Sequence, residues 1–141
     1  MSVSTTLPAG IAVGARFSRT RRFQQSDFDA FAALSGDDNP IHVDPAFAAG
    51  THFGRTVSHG MLLYGCLCAA IGEYLPGARQ VDQELMFPTG TPTGEDVEFR
   101  LEVTAMDSEA GTVELETLAI RPDGELGLQG RTVVVVDGEG E

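Results

Sequence analysis

The sequence predicts an α+β domain in which one long apolar helix is covered by an antiparallel sheet. Three observations carry this expectation. Residues 61–75, "MLLYGCLCAAIGEYL", are apolar on nearly every face of a helix, the pattern of a helix buried at the centre of a domain. Val97, Phe99, Leu101, Val103 and Ala105 alternate with Glu98, Arg100, Glu102 and Thr104, which is the period of a strand buried on one face. The length, 141 residues, suits one domain with one core. No repeat, linker or second domain interrupts it.

The elements follow in order. Residues 1–14 read as a loose arm of small residues, and the domain as residues 15–141. The run "ARFSRTRRF", residues 15–23, is a strand with an Arg-rich outer face. Ser26 reads as a helix cap with Asp29 in the capping-box position. Phe28, Phe31, Ala32 and Ser35 then recur at helical spacing, and Gly36 is a C-terminal stop. Asp44-Pro45 opens a second short helix that Gly50 ends. "THFGRTVSHG" is a loop leading into the apolar helix, which Pro76-Gly77 terminates. A weaker strand covers 79–87. Residues 112–121 and 128–136 are further strands, joined across the turn pair Asp123-Gly124. The last contains "TVVVV", apolar on both faces, which belongs mid-sheet or in a subunit interface.

Charge excludes several function classes. Acidic residues outnumber basic ones 21 to 9, giving a net charge of −12, and every basic residue is Arg. So acidic a surface opposes binding of a phosphate backbone or an anionic membrane, so neither nucleic acid nor membrane is expected as a partner. Cys66 and Cys68 would point about 200° apart on a helix, too far to bridge. No further ligands stand at zinc spacing, so both read as small buried apolar side chains and no metal is expected. "MSVSTTLPAG" lacks the basic start and apolar run of a secretory signal, and the apolar stretch at 61–71 is too short to span a bilayer. The expectation is a soluble protein of the reducing cytoplasm.

One stretch does not look like scaffolding. "SGDDNPIHVD", residues 35–44, crowds Asp37, Asn39 and His42 around Pro40, just past the glycine that ends a helix. Taken alone, Asp-Asn-Pro after a helix is an ordinary turn, Asp44 is a cap, and a loop histidine lies at the surface. Taken together, a carboxylate and an imidazole can hold one water and exchange protons through it. The amide of Asn39 can fix a partner without competing for the proton. Gly60 opens the apolar helix, where first-turn N–H groups lack partners and the dipole favours negative charge.

These residues carry a resemblance. "SGDDNPIHVD" followed by "FAAGTHFGRTVSHGMLLYG" resembles the MaoC-like, R-specific enoyl-CoA hydratase (hydratase 2) family. The pattern S-G-D-x-N-P-x-H-x-D is matched at every fixed position. The strong match covers about residues 26–75, and the strands extend it to about 136. The resemblance implies a hot-dog fold, a long central helix wrapped by a curved antiparallel sheet. It implies reversible addition of water to a trans-2-enoyl thioester, giving the (R)-3-hydroxyacyl thioester, without metal or redox cofactor. It assigns Asp37 and His42 to the catalytic water, Asn39 to positioning and the Gly60 N–H to the thioester oxyanion. It runs the acyl tail along the helix past Cys68 and Ile71. His59 then reads as a structural residue of the turn and His52 as solvated. Gly90 and Glu95 depart from the usual Pro-x-x-Gly-Asp turn, a structural difference away from the site.

Other readings stay open. The same chemistry can run as dehydration on an acyl-carrier protein in fatty-acid or polyketide assembly. Arg16, Arg19, Arg21 and Arg22 could receive an acidic carrier or the CoA phosphates, or form a solvated strand face. A non-catalytic hot-dog acyl-binding subunit would ordinarily lose the Asp or the His, and a thioesterase has no need of the whole set. An exposed sheet edge would invite self-association, so a homodimer or dimer of dimers is expected.

Overall fold

Among residues 10–136, which a computed structural model describes, five strands and four helices succeed one another. They are β1 (Arg16–Arg22), α1 (Gln25–Ser35), α2 (Pro40–Val43), α3 (Pro45–Ala49), α4 (Gly60–Tyr74), β2 (Arg79–Met86), β3 (Asp96–Asp107), β4 (Thr112–Ile120) and β5 (Leu126–Val135). Residues 1–9 of the expected arm lie outside the described residues, and Gly10–Gly14 lead into β1.

The alternation in the sequence sets the sheet. Val97, Phe99, Leu101 and Val103 of β3, Val113, Leu115 and Ala119 of β4, and Leu128 and Val134 of β5 are all fully buried. Their polar neighbours face outward. The strands pair antiparallel in the order β1-β3-β4-β5-β2. Register slips between Gln80 and Asp82, Val103 and Ala105, and Ala119 and Ile120 increase the local twist. The sheet curls around α4, whose Leu63, Leu67, Ala70 and Ile71 join the same core. Phe23 and Phe28 close it, with Phe23 edge-on to Phe99 at 6.3 Å. This is the hot-dog arrangement.

Two expectations need correction. The N-cap of α1 is Gln24, and Asp27 is the residue that reaches back, its Oδ2 accepting from the Gln24 N–H at 2.8 Å. The helix starts two residues before the Ser26–Asp29 box because Gln24 and Asp27 close a box of their own, with Arg21 paired to the same Asp27 carboxylate. Second, α4 is not buried all round. Met61, Gly65, Ala69 and Gly72 are exposed, since one sheet covers only one side of a helix. β5 and its "TVVVV" lie between β4 and β2, so the apolar strand sits mid-sheet, one of the two places expected for it, and the open edges are β1 and β2. Gly36, at φ 82°, ends α1, and its N–H donates to Ala32 O. Asp44 caps α3 through the Ala46 and Phe47 N–H groups. No helix of the described residues is long and apolar enough to cross a membrane.

Two glycines give opposite predictions. A Cβ at Gly130 would run into the backbone carbonyl of Glu84 on the paired strand. Backbone cannot swing aside, so Gly130→Ala should lose about 1–3 kcal/mol in urea unfolding. Gly72, exposed on α4 with open space around it, should gain about 0.5–1 kcal/mol as Ala in the same assay.

Candidate active site

Asp37 and His42 come from two different elements. Asp37 follows the C-terminal glycine of α1, and its N–H donates to Ser35 Oγ at 3.1 Å. Its Oδ1 accepts the Asn39 N–H at 3.4 Å, leaving Oδ2 turned toward His42. His42 rides on α2, a single turn. Asn39 caps that turn, its Oδ1 accepting from the Ile41 N–H at 3.1 Å. Asn39 thus shapes the backbone turn that carries His42; it is exposed and its side chain faces the cap rather than the cavity.

The tautomer of His42 follows from its partner. Nδ1 lies 2.8 Å from the Val57 carbonyl, which can only accept, so Nδ1 carries the proton. Nε2 is then a bare lone pair, 3.9 Å from Asp37 Oδ2. That is too long for a direct hydrogen bond and close to the spacing at which two acceptors share one water. The imidazole side chain is 14% exposed and the carboxylate 55%, so the pair stands at a boundary between a dry wall and solvent.

Gln25 completes the frame and escapes sequence reasoning. Its Nε2 donates to the His42 carbonyl at 2.8 Å, while its Oε1 accepts from Thr56 Oγ1 at 2.6 Å. A Gln in a first helical turn carries no signal of such a role. His59, buried at 2%, donates from Nε2 to the Asp37 carbonyl at 2.9 Å and stacks on the His42 ring, centroids 3.9 Å apart. It belongs to the turn, as expected, and also touches both members of the pair.

These groups open on a cavity of about 880 Å³. Its walls are mostly apolar, with Phe31, Ile41, Val57, Leu63 and Phe87 beside Asp37 and His42. Gly60 lines it too, at the first turn of α4, where the N–H has no intrahelical partner. The ring of Phe87 lies over Gly60: an added Cβ would meet it at 2.7 Å. A side chain at this position would therefore displace the half-exposed Phe87 ring. Phe87, Thr91 and Arg121 line the cavity without having been singled out from the sequence. His52 is exposed at the rim, its ring against Phe53 at 4.0 Å.

Cys68 and Ile71 are not brought to this cavity. Ile71 packs in the core at 1% exposure. Cys68, further round α4, turns toward Gln80 Oε1, which also accepts from the Tyr64 hydroxyl. Burial first, and Cys68 second, push the Tyr64 phenol up to about 12, so it stays a neutral donor. Burial likewise raises the Cys66 thiol, which suits an inert side chain.

The four arginines of β1 are each paired within the chain. Arg16 meets Glu102 at 2.8 Å, Arg19 meets Glu73 at 3.1 Å, Arg21 meets Asp27 at 3.1 Å and Arg22 meets Asp96 at 2.9 Å. The Arg22 guanidinium holds the Asp96 carboxyl below its usual range. A solvated strand face fits these pairs better than a phosphate receptor.

Asp37, His42 and His59 each offer a ligand atom within 4.8 Å of the others. The two imidazole planes are stacked at 25°, however, so their in-plane lone pairs run nearly parallel and do not converge on one ion. The geometry suits a shared water better than a metal.

Comparison with known proteins agrees with this fold. The family profile described as "MaoC like domain" matches residues 8–121. The chain is 38% identical over 126 residues to the (R)-specific enoyl-CoA hydratase of Aeromonas caviae, covering 88% of this chain and 94% of that protein. It is 35% identical over 118 residues to the 3-hydroxybutyryl-CoA dehydratase of Methylorubrum extorquens, covering 82% of this chain and 74% of that one. The solved A. caviae (R)-hydratase superposes with a TM-score of 0.86 at 37% identity, over 92% of this chain and 99% of that one. The R-hydratase PhaJ1 of Pseudomonas aeruginosa also reaches 0.86, at 32% identity, over 93% and 85%. The profile match across most of the chain and these relatives establish that the chain belongs to the MaoC-like family.

Proposed function

We propose that this protein hydrates trans-2-enoyl-CoA reversibly to (R)-3-hydroxyacyl-CoA. The observation that carries this reading is the facing of His42 Nε2 and Asp37 Oδ2 across 3.9 Å, in a mostly apolar cavity that also holds the first turn of α4. A water bound between them donates one hydrogen to each. Its oxygen bonds to C3 of the enoyl group as Asp37 takes a proton. The C2–C3 π pair shifts toward the thioester carbonyl, whose developing charge the Gly60 N–H and the α4 dipole stabilise. C2 then receives a proton from the Asp37–His42 pair on the same face. No external oxidant, reductant or metal enters this balance. The relatives named above for hydration and dehydration of CoA thioesters support the reaction class.

Dehydration on an acyl-carrier protein is the second reading, because a mitochondrial 3-hydroxyacyl-[acyl-carrier-protein] dehydratase of Arabidopsis thaliana is 30% identical over 92% of this chain. The pairing of the β1 arginines favours neither carrier, and the higher identity to the CoA-thioester relatives supports CoA. The non-catalytic acyl-binding subunit is disfavoured because both members of the pair are present and face each other.

The β2 edge and the open face of α4 support a homodimer, or a dimer of dimers. Met61, Val81, Met86 and Phe87 stand 52%, 52%, 60% and 45% exposed there. Two free, half-buried thiols suit a reducing, cytoplasmic setting.

Three measurements test these readings. With enoyl-CoA as substrate, Asp37→Asn and His42→Ala should each lower turnover by at least about 10². The double variant should be scarcely worse than either, since both groups act on one water. Near-normal turnover in either folded variant would sink the assignment. Light scattering at micromolar concentration should give a dimer or tetramer, and a monodisperse monomer contradicts it. Chain-length selection is the third test. Leu63 lines the cavity, and Leu67 and Ile71 continue the same buried helix face behind it. A long acyl tail that continued along that face would press on Ile71, and on that reading Ile71→Ala should raise kcat/KM for long chains relative to short ones. It should also cost about 2–5 kcal/mol of stability. An unshifted chain-length profile would leave Ile71 as plain core.

A further inference from the structure

His59 is more than a residue of the turn. It is held rigidly by α4, whose Leu62 and Leu63 N–H groups bond to its carbonyl at 3.2 and 3.4 Å. Its ring is wedged among Phe28, Phe31 and His42, at centroid distances of 6.4, 4.8 and 3.9 Å. From that post it makes two contacts. Nε2 donates to the backbone carbonyl of Asp37, and the ring face lies flat against His42. Nδ1 then bears a lone pair that is buried and has no hydrogen-bond partner.

An orphaned buried acceptor is unfavourable, because its lost hydration is not replaced. A phenyl ring would fill the same aromatic slot beside Phe28 and Phe31 without that cost. The site therefore carries an imidazole against the preference of its surroundings, and the part of the imidazole in use is the Nε2–H. We propose that His59 is a positioning residue, whose N–H to the Asp37 carbonyl and stacking on His42 set the spacing of the two groups that share the water. The inference rests on the hydratase reading for its kinetic consequence, but not for its geometry. Placing a reacting group about 1 Å out of line lowers turnover by roughly 10² without weakening substrate binding in proportion.

The experiment compares wild type, His59→Phe and His59→Gln as full chains, with crotonyl-CoA as the probe. His59→Phe keeps the stacked ring and loses the donor. His59→Gln returns an amide N–H close to the Nε2 position. The expected result is that His59→Phe melts no lower than wild type while kcat falls about 10- to 100-fold. KM should stay within about twofold. His59→Gln should recover about a tenfold share of that loss. A purely packing role predicts the reverse, with stability and activity falling together and Gln worse than Phe. Unchanged kcat in His59→Phe, or equal impairment of both variants, overturns the proposal. A second measurement does not depend on activity. The protein contains three histidines, so long-range proton–nitrogen NMR can resolve each imidazole, with the His59 signals identified by their loss in His59→Gln. His59 should be the Nε2–H tautomer, and a Nδ1–H tautomer would overturn the proposal even if His59→Phe failed to fold. A wild type that turns over no enoyl thioester would refute the hydratase reading, and the tautomer would still decide whether His59 holds Asp37.

Discussion

The burial of one face of α4 in the concave sheet is the constraint on which the site depends. Leu63, Leu67, Ala70 and Ile71 lock the rotation and height of the helix, and so fix where His59 and Gly60 emerge at its N-terminus. The preceding residues are pinned in turn. Ser58 N–H donates to the Thr91 carbonyl at 2.8 Å, and Val57 bridges Pro92. Val57 is thus held by the segment that leads into β3, and its carbonyl selects the tautomer of His42. A chain of backbone contacts runs from the core to a single imidazole nitrogen, and little of it relies on flexible side chains. Sites held this way lose little by reorganisation when charge develops.

Asp37 is held more locally. The Gly36 turn, the Ser35 hydroxyl and the Asn39 N–H shape its loop, and the carboxylate remains more than half exposed. The two halves of the pair differ in degree: His42 is fixed by tertiary structure, and Asp37 by its own turn together with the bond from His59 Nε2 to its carbonyl. Gln25 braces the His42 side, clamping the α2 backbone to the buried Thr56. The architecture keeps the imidazole dry and oriented while the carboxylate stays within reach of water, an arrangement that lets a solvent molecule enter between them.

Much of this was legible in the sequence because it is local. The period of β3, the glycine stop of α1, the Asp44-Pro45 helix start and the Asp37–Asn39–His42 cluster are all written in neighbouring residues. What was not legible is set by contacts distant in the chain. The start of α1 is set by Gln24 and Asp27 closing a box two residues before Ser26, where Arg21 reaches the same carboxylate across the strand–helix junction. The apolar pattern of α4 reported a helix without reporting that the sheet covers only one side. Helical spacing alone could not tell the cavity from the core, so Ile71 falls two turns behind the wall that Leu63 forms. Phe87 over Gly60 is a pairing that no spacing rule contains.

Charge raises the last point. The chain is strongly acidic, yet its proposed substrate is an anion and its proposed transition state gathers negative charge on a thioester oxygen. Arg121, which lines the cavity, is already engaged by the Gly90 carbonyl at 3.0 Å and Asp123 at 3.0 Å, with Glu95 beyond at 3.4 Å. The stabilisation on offer at Gly60 is instead a neutral one, an unpaired N–H at the head of a 15-residue helix. Such a dipole is fixed by the fold, carries no counter-charge to be stripped, and is strengthened by the apolar walls around it. An acidic surface can therefore coexist with an oxyanion site, because the site draws its positive potential from the backbone and not from side chains that the surrounding carboxylates would neutralise.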